Sequence, residues 1–234
     1  MNRPFRVAVV PTRDRHGMLA DCVDSIAPQV DMVWILDNES EPPISTGRWA
    51  DRWPVVVDRA LVAAMRVEMD PPNISRLWNI GIGLADQDAW RRGAQEWDII
   101  VLNSDVVVPS GWVDGLSSAM RSTPAVLAYP DQHRGGVQIL HTKAEPVDLK
   151  QRITGYAYML RGEVGLRLDE SMAWWFSDDD LDWRTRETGG ALLVPGLAVE
   201  HRCPNGSMEE RPELAEQAAR DRETFIAKWG RAPH

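Results

Sequence analysis

Three apolar runs, each closed by a short polar motif, constrain this chain more than any other feature. Phe5–Pro11 (FRVAVVP) runs into Thr12-Arg13-Asp14, Met32–Leu36 (MVWIL) into Asp37-Asn38-Glu39-Ser40, and Asp98–Leu102 (DIIVL) into Asn103-Ser104-Asp105. Short β-branched runs of this kind read as strands buried on both faces. Between the first two, Leu19, Cys22, Val23 and Ile26 recur at helical spacing. A strand–helix–strand opening implies parallel pairing through a right-handed crossover. In such sheets ligands sit beyond the carboxyl ends of the strands, which is where all three polar motifs fall.

The alternation continues along the chain. Ser75 is placed to cap a helix carrying Leu77, Ile80, Gly81 and Leu84, and Ser110 to cap another carrying Val113, Leu116 and Met120. Ala125–Tyr129, Gly155–Leu160 and Ala191–Val194 predict strands, Arg134–Val137 a glycine-containing loop, and Pro212–Trp229 a helix. Glu41–Asp70 mixes prolines and tryptophans without a clear period and offers one short strand, Val55–Val57. We find no internal repeat, low-complexity tract or domain boundary. The expectation is one α/β domain over residues 1–234, with a doubly wound, mostly parallel sheet and a helical tail. A length of 234 residues suits one domain, and a hydrophobic fraction of 44% can fill its core.

Composition narrows the function classes. Charged residues of both signs are interspersed, which argues against disorder. A net charge of −9 lacks the overall basic footprint of a duplex-binding protein. The two cysteines, Cys22 and Cys203, build neither a disulfide framework nor a zinc spacing, so a reducing, cytoplasmic compartment is expected. The segment MNRPFRVAVVPTRD does not read as a secretory leader, and no stretch reaches the roughly 20 apolar residues of a membrane span. The eleven tryptophans are expected in the core or lining a groove.

Six constellations can carry chemistry, and each has a plainer alternative. Thr12-Arg13-Asp14 can hold a base, ribose or pyrophosphate, or simply cap a turn. Asp37 can accept hydrogen bonds from a uracil imide or a ribose, or punctuate a turn with Asn38 and Ser40. In NISRLWNIGIGLA (Asn73–Ala85), Arg76 lies in the first helical turn, where helix amino ends and arginine both suit phosphate. Gly81 and Gly83 each cost a helix about 1 kcal/mol against alanine, implying close packing or ligand approach. Asn103-Ser104-Asp105 can place Mg²⁺ or Mn²⁺ against a diphosphate, or form an Asx turn. In WWFSDDDLDWR (Trp174–Arg184), four carboxylates within five positions repel one another unless a cation or substrate is present. Such crowding raises a pKa and suits a general base, although a solvated acidic loop is the alternative. The preceding tryptophans favour a cleft. His201, ending the run VPGLAVEH, can complete a metal site or be structural.

Taken in order, PTRD, DNES, NISRLWNIGI, LNSDVVVPSGW, GYAYMLRGEV, LDES, SDDDLDWR, PGLAVEH and DRETFIAKWG resemble the family 2 glycosyltransferases over about Phe5–Gly230. The resemblance implies the GT-A fold, with a nucleotide-sugar half over about 1–110, an acceptor half over about 111–205 and a helical tail over 206–234. It implies that Thr12, Arg13 and Asp37 hold the nucleoside. Arg76, Asn79, Asn103 and Ser104 would lie by the nucleotide, Asp105 and His201 would bind Mn²⁺ or Mg²⁺, and Asp178 would be the base. Two departures stand out. Asn103 replaces the first acid of the metal motif, and Ser177 replaces the glutamate of the catalytic pair, leaving the base open between Asp178 and Asp179.

The implied activity is inverting transfer from a uridine, thymidine or guanosine diphosphate sugar to an acceptor hydroxyl. The acceptor is left open among a glycan, a lipid-linked sugar, a protein, a metabolite and a modified nucleobase. Compact forms of the family also occur in bacteriophage genomes, in which case the compartment is the host cytoplasm. A rival is a sugar-phosphate nucleotidyltransferase, but VVPTRDRHG lacks the glycine- and arginine-rich loop such enzymes carry. A glycan- or nucleotide-binding module without catalysis is the other, permitted by Asn103 and Ser177.

Overall fold

A computed structural model describes residues 3–44, 55–57, 60–203, 211 and 213–233. In chain order the elements are β1 (Phe5–Thr12), α1 (His16–Ile26), β2 (Met32–Asp37), β3 (Val55–Val57), β4 (Ala60–Arg66), α2 (Ile74–Arg91), β5 (Trp97–Leu102) and β6 (Val106–Val107). There follow α3 (Trp112–Arg121), β7 (Leu127–Pro130), β8 (Ile139–His141), β9 (Ala157–Arg161), α4 (Ser177–Thr188), β10 (Ala191–Val194), β11 (Glu200–His201) and α5 (Glu213–Trp229).

Nine strands form one sheet in the order β3-β4-β2-β1-β5-β9-β7-β10-β8. Strands β4, β2, β1 and β5 pair in parallel, while β3, β9 and β8 each run against their neighbours. The strand–helix–strand opening therefore folds as the apolar runs predict. Strands from the first and second halves of the chain share this sheet.

Strand alternation decides which core each residue joins. Val7 and Val9 of β1 face Leu77, Trp78 and Ile82 of α2, whereas Ala8 and Val10 face Leu19, Cys22, Val23 and Ile26 of α1. With an apolar layer on each face, the central strands need no polar side, which is why their sequence shows none. Gly81 lets α2 approach β1 closely: a β-carbon there would overlap Val9 and come within 3.0 Å of Leu36. Gly83 has open space around its Cα, so only the first of the two glycines is a packing device.

Several local expectations are corrected. Asn73, not Ser75, caps α2, accepting from the Arg76 amide at 2.9 Å. Ser75 is fully buried; its hydroxyl donates to the Met172 carbonyl (2.6 Å) and shares a hydrogen bond with the Ser177 hydroxyl (2.7 Å). Ser110 caps nothing at α3, which starts after Gly111 at φ 77°. Strand β4, in the segment without a clear period, lies against β2 with only Ala60 and Val62 buried, so neither a helical nor a strand rhythm stands out. The acidic run opens α4 rather than forming a solvated loop, with Asp178, Asp179 and Asp180 in the first turn, and α5 packs Phe225 against Trp183 of that helix.

Candidate active site

The register of the sheet assembles the site. Thr12 pairs with Asp37 and Val9 with Val101, so the three polar motifs leave the sheet at one edge. Beyond β5 the chain turns at Asn103, whose carbonyl accepts from the Val106 amide (3.2 Å), and enters the short ribbon of β6 and β11. In that ribbon His201 pairs with Val106, and the Asp105 carbonyl accepts from the Arg202 amide at 3.0 Å. Two residues 96 positions apart are thus held side by side: His201 Nε2 lies 3.4 Å from Asp105 Oδ1. Tyr156 stacks on the His201 ring with centroids 4.0 Å apart and planes at 25°, which fixes the imidazole.

A cleft of about 640 Å³ opens over these strand ends. Of the eleven residues expected at a site, seven line it: Thr12, Arg13, Asn103, Ser104, Asp105, Asp178 and His201. Asp178 reaches it from the first turn of α4, beside Gly155 at φ +49°. A β-carbon at Gly155 would overlap the Asp178 carboxylate, so the position admits the acid only because it is glycine.

The other four lie elsewhere, each with a different task. Asp37 is 2% exposed; its carboxylate accepts from the amides of Ser40 (2.9 Å) and Ile44 (3.2 Å), closing the loop after β2. Asn79 pins the Leu168 backbone, accepting from its amide at 2.8 Å and donating to its carbonyl at 2.9 Å. Arg76 is exposed and lines a separate depression with Glu68, Asp70 and Gln217. Asp179 is 1% exposed and gives both oxygens to Arg152.

The acidic run holds together because the chain supplies its own cations. Asp179 meets Arg152, Asp180 meets Arg184 and Lys228 (each 2.8 Å), and Asp182 meets Arg186 (2.6 Å). Burial, and then the Asp178 carboxylate, push Asp179 up to about 8 against the pull of Arg152. Burial likewise raises Asp182 to about 6 against Arg186. The upward shift expected from crowding is present, but burial is its first cause.

Several cleft residues were not singled out from the sequence. Asn38, Trp78, Arg152, Gly155, Tyr156, Trp174 and Trp175 all line the cavity. Asn38 and the three tryptophans stood inside quoted motifs, as did Gly155 and Tyr156 at the start of GYAYMLRGEV; Arg152 lies in a loop with no local pattern. Thr12 Oγ1, Asn38 Oδ1 and Trp78 Nε1 are buried without a hydrogen-bond partner among the described residues. Arg13 Nε and Thr154 Oγ1, also at the cleft, likewise lack a hydrogen-bond partner there; buried polar atoms are rarely left so, which makes these five candidates for ligand contacts. The Trp174–Trp175 wall is set by Asp221 of α5, whose carboxylate accepts from the amides of Ala173 (3.1 Å), Trp174 (2.8 Å) and Trp175 (2.9 Å). Among the described residues no three Asp, Glu, His or Cys side chains gather as a metal cluster, and no helix is long and apolar enough to cross a membrane.

No family model and no curated protein matches the chain. Solved structures do. A crystal structure of S. aureus TarS 1-349 superposes with a TM-score of 0.56 at 12% identity, covering 91% of this chain and 65% of that one. GalNAc-T7 with UDP, GalNAc and Mn²⁺ gives 0.62 at 16% identity, covering 86% of this chain and 44% of that one. TarS 1-349 in complex with UDP-GlcNAc gives 0.54 at 11% identity, covering 84% and 60%. The chain has the GT-A fold. It spans less than two thirds of the length of these neighbours. The cleft lies at the carboxyl ends of the parallel strands β1, β2 and β5, and Asp178 of α4 lines it.

Proposed function

We propose that this protein is a glycosyltransferase that takes a nucleoside-diphosphate sugar into the cleft and moves the sugar to an acceptor hydroxyl with inversion. One observation carries the reading. The Asp105–His201 pair, the Asp178 carboxylate and the unpaired polar atoms of Thr12, Asn38 and Trp78 all belong to a single cleft at the strand ends. The fold shared with proteins crystallised with UDP, UDP-GlcNAc or Mn²⁺ supports it.

The donor set fits a divalent ion. Ligand atoms about 2.1 Å from an octahedral metal and at right angles lie about 3 Å apart, close to the 3.4 Å between Asp105 Oδ1 and His201 Nε2. Asp105 and His201 would hold Mn²⁺ or Mg²⁺, whose charge offsets that of a leaving diphosphate. With Asn103 in place of an acid, the chain brings one carboxylate, so diphosphate oxygens and water must fill the other positions, as Mg²⁺ commonly accepts.

The chain's own residues do the rest. Thr12 and Asn38 offer hydrogen bonds to base or ribose, and Arg13 faces the phosphates. Asp178, at the opening turn of α4, takes the proton from the acceptor hydroxyl as that oxygen attacks the anomeric carbon. Asp179 cannot serve, since Arg152 occupies both of its oxygens below the cleft floor. Trp174 and Trp175 wall the acceptor side.

A thermal-shift screen of UDP, TDP and GDP, each with and without Mn²⁺, tests the reading. A ligand at 100 times its Kd adds about 2.7 kcal/mol, or roughly 5–10 °C for a chain of this size. One nucleoside diphosphate should give that shift with Mn²⁺ and a smaller one without. No shift with any of the three would count against a donor in this cleft.

A further inference from the structure

Among the described residues, none of α5 lines the cleft, yet one stripe of this helix reaches the chain that carries the cleft's tryptophan wall. Gln217, Asp221, Phe225 and Lys228 follow at three- and four-residue spacing and so share a face. Asp221 is fully buried, and each of its oxygens takes two donors. Oδ1 accepts from the Ala173 amide (3.1 Å) and the Gln217 side chain (2.6 Å), Oδ2 from the amides of Trp174 (2.8 Å) and Trp175 (2.9 Å). Three successive amides around one carboxylate fix the course of the backbone and leave both tryptophans lining the cleft. Along the same stripe Phe225 packs on Trp183, and Lys228 meets Asp180 at 2.8 Å, both of α4. Helix α5 therefore sets the wall relative to the helix that carries Asp178. The start of α2 holds the chain just before the wall, where the Ile74 amide donates to the Ala173 carbonyl (2.8 Å) and the Ser75 hydroxyl to that of Met172.

We infer that Asp221 is a positioning residue: it holds the Trp174–Trp175 wall against the entry of water, so that the donor sugar is kept for an acceptor hydroxyl. This rests on the transferase reading above. Water is smaller and more concentrated than any acceptor, and it reacts in the same way. Its oxygen bonds to the anomeric carbon, the bond from that carbon to the diphosphate breaks with the electron pair leaving on the diphosphate, and Asp178 takes the proton. Transfer prevails over this loss where the closed site excludes water. Trp174 and Trp175 precede Asp178 in the chain and line the same cleft, so their placement decides how much water reaches the sugar.

The test compares wild type with Asp221→Asn, which keeps the shape but puts amide hydrogens where the backbone donors point. Hydrogen exchange at the Trp174 and Trp175 amides should quicken roughly 10–150-fold, the equivalent of one charged hydrogen bond. With UDP-, TDP- and GDP-hexoses at saturation, Mn²⁺ present and no acceptor, wild type should release nucleoside diphosphate slowly and the variant several-fold faster. Calorimetry should give both proteins the same affinity for that nucleoside diphosphate. A merely damaged site would bind it more weakly and turn over more slowly, so a gain in hydrolysis separates the two. If Asp221→Asn does not fold, Trp175→Ala carries the test, since Trp175 is exposed and its loss opens the same wall; it too should hydrolyse the donor faster. Exchange or release no faster than wild type in Asp221→Asn, weaker diphosphate binding by it, or release no faster in Trp175→Ala, overturns the inference and leaves the transferase reading standing. Donors left intact by wild type and variant alike overturn both.

Discussion

Asp178→Asn is expected to slow sugar transfer by about 10²–10⁴-fold, the usual worth of a general base, with nucleoside-diphosphate binding unchanged. The substitution is nearly isosteric, so the close fit against Gly155 survives. Ser177, one residue earlier, keeps its hydrogen bond to Ser75, so the start of α4 stays in place. What disappears is the one acidic group of the run that lines the cleft. Asp179→Asn makes the contrast. It leaves Arg152 facing an amide in a buried site, so the expected loss is in stability, about 3–5 kcal/mol for breaking a buried pair. Melting curves and single-turnover rates on the two variants separate these effects. A fully active Asp178→Asn beside a slow but stable Asp179→Asn would move the base by one residue.

Asp105→Ala is expected to remove Mn²⁺-dependent nucleoside-diphosphate binding. Losing a residue behind a metal ligand already costs 10–100-fold in affinity, and a direct ligand should cost more. Asn103 leaves this chain without a second acid in the motif to compensate. The fold should persist, because Asp105 is tied to the β6–β11 ribbon by its carbonyl, which alanine retains. Calorimetric titration of the nucleoside diphosphate, with and without Mn²⁺, reads the result. An affinity that stays Mn²⁺-dependent and equal to wild type would place the ion elsewhere.

The sequence was most informative where one physical rule dominates. Strands buried on both faces are apolar except for charges paired inside the fold, such as Arg6 and Asp98, so β1, β2 and β5 could be read directly, and with them the polar motifs at their ends. Strand β4 could not, because only two of its seven residues are buried and its pattern follows tertiary packing. At the strand ends, Thr12, Arg13, Asn103, Ser104 and Asp105 line the cleft. Asp37 follows a strand end too, yet its side chain turns inward to the Ser40 and Ile44 amides. A motif fixes a position along the backbone but not the direction of the side chain. Within the acidic run, Asp180 and Asp182 meet Arg184 and Arg186 four residues on along α4, whereas Arg152 reaches Asp179, and Lys228 and Trp229 reach Asp180, only in the fold. Arg152, Lys228 and Asp221 lie far from the motifs they serve, and no local pattern announces them.

The central claim is that the cleft cleaves a sugar from a nucleoside diphosphate, and water can act as a slow acceptor in place of the natural one. Release of nucleoside diphosphate from UDP-, TDP- and GDP-hexoses with Mn²⁺, followed by ³¹P NMR, tests this without knowledge of the acceptor. Wild type should release the diphosphate from at least one donor, and Asp105→Ala from none. Intact donors in every wild-type reaction at saturating concentration, or equal release by Asp105→Ala, would contradict it.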